Sequence, residues 1–99
     1  MAKPRYIELI EKNDPALLEK VNALSELVYR EGALPVKTKL LMGVLGDAIL
    51  GRPEGVRALS NAARANGASE EEIAETIHMA LHLAGVPGLV AATSAYKED

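Results

Sequence analysis

The stretch ILGRPEGVRALSNAARANGAS, Ile49 to Ser69, decides the fold of this chain. It reads as the end of one helix, a Gly/Pro break at Gly51 and Pro53, a second helix, and a second stop at Gly67. Glycine just past a helix accepts the left-handed backbone that satisfies the last carbonyls. Proline suits the first helical position, where its missing N–H would have had no partner. Neither a cysteine nor a histidine falls within the stretch. If the junction carries chemistry, other side chains must supply it.

The same punctuation recurs on both sides. Upstream, Pro35 opens the helix that closes at Gly51. Before it, Asp14 and Pro15 stand as N-cap and first residue of a helix with Leu17, Leu18, Val21, Leu24 and Val28 at helical spacing, ending by Gly32. RYIELIEK predicts a short helix at the N-terminal end. Downstream, Ser69 and Glu72 have capping-box spacing with further acids in the first turn, and that helix runs to Gly85. Pro87 opens a last short helix. No segment alternates with strand period, and no linker is long enough to divide domains. The expectation is an all-α fold of five to six helices, a single domain over residues 1–99.

Composition narrows the function classes. The chain is 48% hydrophobic but has three Tyr and neither Phe nor Trp, so its core must be closely packed aliphatic helices. A net charge of −3 with scattered basic residues argues against nucleic acid or an anionic membrane as partner. The absence of cysteine removes disulfides, thiol redox chemistry and thiolate metal sites together. MAKPRYIELIEKND is too charged for a signal peptide, and no unbroken apolar run reaches the roughly 18 residues of a membrane helix. A cytoplasmic protein is expected.

Two helices show little polar surface. Asp47 is the only charge in LLMGVLGDAIL, residues 40–50, which implies burial on all sides. Gly43 and Gly46 read as close-packing positions within it, and GLVAATSA is rich in small residues that let backbones approach. So short a chain has difficulty surrounding both helices, and self-association through them is expected.

Asp47 shares a helix stripe with Leu40 and Val44. A carboxylate there either pairs with a cation, Arg52 or Arg57 across the Gly51–Pro53 corner, or caps a neighbouring helix, or has a raised pKa that suits a general acid or base. Arg52 and Arg57 are also candidates to hold an anionic substrate, with surface solvation as the plainer account. His78 and His82 form H-x-x-x-H, the spacing that lets two imidazoles meet one metal, with Glu71 and Glu75 on the same stripe. Ile73, Ile77, Ala80 and Ala84 define the opposite, core-facing side, so the histidines are also explained as solvent-facing residues. No glutamate follows His78 directly, so the metalloprotease pattern fails. Ser60 and Ser94 have no histidine nearby in sequence to activate them.

Taken in order, the Lys-Thr-Lys helix opening, Leu-Gly at residues 50–51, Asn-Gly-Ala-Ser at 66–69, Glu-Glu-Ile-Ala-Glu and Ala-Gly-Val-Pro resemble the carboxymuconolactone decarboxylase family, which includes the alkylhydroperoxidase D-like proteins. The resemblance covers about two thirds of the chain, from Leu34 to Ala95. It implies the helical fold of that family, a site between the helices carrying Asp47 and Leu59, and rings of dimers or trimers, often hexamers.

The departures are specific. Redox-active members place Cys-x-x-Cys where Arg52 and Gly55 stand here, a histidine at Leu59 and a glutamate at Leu40. Decarboxylase members share Leu-Gly-Arg and an acid near Glu54, but also have the histidine that Leu59 replaces. Thiol peroxidase activity is therefore not implied. Two functions remain open. One is a non-catalytic homo-oligomeric module, trimer or hexamer, for binding or assembly. The other is a cofactor-free lyase or isomerase of a small carboxylate, with Asp47 as acid/base and Arg52 or Arg57 holding the anion. Neither calls for a cofactor.

Overall fold

The structure is a computed structural model that describes residues 3–98. It contains five α-helices: α1 (Arg5–Asn13), α2 (Pro15–Val28), α3 (Val36–Ile49), α4 (Pro53–Ala65) and α5 (Glu70–Ala92), then a 3-10 turn at Thr93–Ala95. The all-α expectation holds, with no strand among the described residues. The chain forms two compact units, residues 3–30 and residues 31–98.

The first unit is the helix pair α1 and α2. Asp14 joins them by two bonds. Its N–H donates to the Ile10 carbonyl at 2.7 Å, ending α1, and its carboxylate accepts the Leu17 N–H at 3.2 Å, starting α2. No residue of either helix is buried within the unit, and Leu17, Leu24 and Leu27 are exposed.

In the second unit α3 is the central helix and packs against both α4 and α5. The Glu31 carboxylate accepts the Val36 N–H at 3.2 Å, occupying one of the bare donors at the start of α3. Leu40, Val44 and Ala48 of α3 meet Val56, Ser60 and Ala63 of α4 and Ile73, Ile77 and Ala80 of α5 in the core. The buried Ser60 hydroxyl donates to the Val56 carbonyl, and no buried side-chain polar atom among the described residues lacks a partner.

The two glycine stops work as read. After α3, Gly51 (φ 71°) donates to the Ala48 carbonyl at 3.1 Å and Arg52 to the Asp47 carbonyl at 2.8 Å. After α4, Gly67 (φ 95°) donates to Arg64 at 3.0 Å and Ala68 to Ala63 at 2.9 Å. Both are complete Schellman closures, and each leads directly into the next helix start. At α5 the capping box is reciprocal: Ser69 Oγ accepts the Glu72 N–H at 3.0 Å, and Glu72 Oε1 accepts the Ser69 N–H at 2.8 Å. Gly85 (φ 69°, ψ −160°) breaks α5 just before Pro87, where the sequence places the start of a last helix.

Some expectations need correction. Within this chain the apolar α3 is only partly enclosed, with Met42, Ile49 and Leu50 exposed. Within this chain Gly46 is not a close-packing position: a Cβ there would meet nothing within 4 Å. The small residues after Gly85 are consumed internally. Gly88 lies where a Cβ would come 2.5 Å from Ala84 Cβ, and Ala91, Ala92 and Ala95 are buried, leaving Val86 and Val90 exposed instead. Finally, Glu70–Ala95 is long and apolar enough to cross a membrane by length and composition. Its isoleucines, leucines and valines, with alanine, raise the mean hydropathy without an unbroken apolar run. Its buried face against α3, its three first-turn acids and the break at Gly85 are equally those of a core helix.

Candidate functional site

The corner between α3 and α4 is built around Asp47. Its carbonyl closes the Schellman turn, and its side chain, 18% exposed, reaches over the first turn of α4. There it packs on Gly55: a Cβ at that position would overlap the carboxylate and come 2.8 Å from its Cγ. Gly55 thus acts by having no side chain, and the acid sits against the positive end of α4. The sequence offered one signal, a glycine in the third position of a helix, which costs propensity and marks a close approach.

Of the two cations expected nearby, only Arg52 reaches Asp47, with Nη1 3.9 Å from Oδ1. Arg52 is itself 58% exposed, so this is a loose ion pair at the rim. Arg57 is exposed and pairs with Glu98 at 3.3 Å. The structure therefore brings Asp47, Arg52 and Gly55 together and sends Arg57 to the C-terminal segment. Leu40 is buried and Leu59 half-buried at the positions where the resemblance places a glutamate and a histidine.

Two networks escaped the sequence reading. Arg64, 16% exposed, forks onto Glu70 at 2.7 and 2.8 Å and also donates to Asn61 Oδ1 at 3.1 Å and to the Ala95 carbonyl at 2.6 Å. One guanidinium thereby links α4, the start of α5 and the C-terminal turn. The Glu70 hydrogen bond raises the Arg64 pKa, and the Arg64 hydrogen bond lowers that of Glu70. In the second network Lys37 Nζ bonds Glu72 Oε2 at 2.9 Å, tying the start of α3 to the capping box of α5. The Ser69 backbone bond, and after it Lys37, hold the Glu72 carboxyl below its ordinary range. No periodicity rule pairs residues 31 or 35 positions apart, as these contacts require.

His78 and His82 lie on the exposed side of α5, and neither has a hydrogen-bond or ion-pair partner among the described residues. No group of three or more His, Asp or Glu among those residues is placed to hold a metal.

A small all-α chain whose central acid helix turns through a glycine corner into a proline-started helix defines a recognisable class. The sequence profile of the carboxymuconolactone decarboxylase family matches residues 15–98. The chain belongs to that family. Among solved structures it is similar to a Burkholderia xenovorans protein bearing a provisional carboxymuconolactone decarboxylase name, at 25% identity and a TM-score of 0.84, covering 95% of this chain and 77% of that one. It is also similar to the apo form of a carboxymuconolactone decarboxylase family protein from Legionella pneumophila, at 28% identity and a TM-score of 0.84, covering 91% of this chain and 80% of that one. No curated protein sequence matches.

Proposed function

We propose that this family member is a non-catalytic, homo-oligomeric binding or assembly module of the cytoplasm, a trimer or hexamer, without thiol peroxidase chemistry. One observation carries the reading. Met42, Ile49, Leu50, Leu83, Val86 and Val90 of the second unit are exposed in the isolated chain, Leu50 to 69%. A surface with that many large apolar side chains is stabilised by covering it, and further copies of the same chain are the simplest cover. Asp47 fits a structural role, since its carbonyl closes a helix and its carboxylate rests on Gly55. Sedimentation velocity at micromolar concentration should give a species of three or six chains, and Leu50→Glu should shift it toward smaller ones. A stable monomer of 10.5 kDa overturns the reading.

The second reading, a cofactor-free lyase or isomerase, is favoured by the rim placement of Arg52 beside Asp47. A small carboxylate that displaced this loose pair would meet a cation and a proton-transfer group together. Turnover of such a substrate, abolished by Asp47→Asn, would replace the first reading with this one.

A further inference from the structure

The two histidines of this chain, His78 and His82, stand one turn apart in the regular part of α5, before the break at Gly85. Residues at this spacing lie on the same helix face with Cβ atoms about 5–6 Å apart. Both imidazoles are exposed, on the side opposite the buried Ile73, Ile77 and Ala80, and neither spends a ring nitrogen on another described residue. Glu71 and Glu75 continue the same exposed stripe toward the N-terminus and add negative charge without joining as ligands.

We propose that His78 and His82 form a two-imidazole chelate for a borderline divalent transition ion, of the Ni²⁺, Cu²⁺ or Zn²⁺ class. Imidazole nitrogen suits these ions, whereas Mg²⁺ and Ca²⁺ prefer oxygen ligands. The helix fixes the pair before binding, so the second ligand joins at high effective concentration and little ordering entropy is lost. With two protein ligands the ion keeps open positions, filled by water or by an added anionic ligand. The chain has no cysteine and no third histidine to compete for a borderline ion.

The test is calorimetric titration of tag-free, full-length protein with NiCl₂, and separately with MgCl₂, alongside thermal melts. Ni²⁺ should bind at one ion per chain and raise the melting temperature, because it holds a helical pair that the unfolded chain lacks. Mg²⁺ should do neither. His78→Ala and His82→Ala should each weaken Ni²⁺ binding about tenfold or more, and the double variant little further, as a chelate requires. Circular dichroism of these exposed-site variants should match the parent. Absence of Ni²⁺ binding, or binding that either single variant leaves intact, overturns the proposal. Two equal, additive losses mean independent sites and overturn it as well.

Discussion

The Asp47 carboxylate lies against the backbone of Gly55, eight residues on and in the next helix, where a Cβ would overlap it. The contact lets α3 and α4 meet at a tight corner and puts an anion at the start of α4. It joins a helix-ending residue to a helix-starting one, so each substitution at the corner tests the other residue.

Gly55→Ala should lose stability although alanine is the better helix former by about 1 kcal/mol. The new methyl must push the Asp47 side chain out of its place. In an Asp47→Ala background the same change should stabilise by about 1 kcal/mol, because the obstacle is gone. Urea unfolding of the four proteins measures the coupling, and equal effects of Gly55→Ala in both backgrounds would refute the contact.

Asp47→Asn keeps the shape and removes the charge. A buried cation left behind would cost several kcal/mol, but Arg52 is 58% exposed and returns to water. The expected loss is about 1 kcal/mol, chiefly from the interaction with the start of α4. A loss of 3 kcal/mol or more on the same urea scale would indicate an uncompensated buried charge, roughly as such pairs cost when broken.

Arg64→Lys should behave like Arg64→Ala. An ammonium cannot reproduce the planar fork on Glu70 while also reaching Asn61 and the Ala95 carbonyl. Both variants should lower the melting temperature and speed amide exchange at Tyr96, whose N–H bonds Thr93 in the turn that Arg64 holds. Rescue by lysine would reduce Arg64 to a point charge.

The pH dependence follows from Glu70 and Glu72. Arg64 lowers the first and the Ser69 backbone, then Lys37, lowers the second, each from an ordinary value of 4.5. A carboxyl held lower in the folded state contributes stability fully above its unfolded value and loses it as pH falls through the folded one. Melting temperature should therefore be insensitive to these groups above about pH 5 and decline below about pH 4.5. Glu70→Gln and Glu72→Gln should each flatten that decline. An unchanged acid limb in both variants would place the acid sensitivity elsewhere.

Helix boundaries were legible in the sequence because their causes are local. Asp14 with Pro15, Gly51 with Pro53, Gly67 and the Ser69–Glu72 box each act within one turn, and the structure uses all of them. The buried face of α5 was legible too: Ile73, Ile77 and Ala80 repeat at helical spacing and are buried as that spacing requires. Family membership was also readable, since it rests on the order of these same signals. Tertiary structure alone decided the partners of charges and glycines. Arg52 and Arg57 both stand near Asp47 in sequence, yet helix phase sends Arg57 to Glu98 and leaves Arg52 at the rim. Gly46 and Gly55 look alike as helical glycines, but only Gly55 faces a neighbouring helix closely enough to need its missing side chain. Propensity and capping depend on the nearest few residues. Which surfaces touch depends on how whole helices are rotated against each other, and that is set by the packed core as a unit.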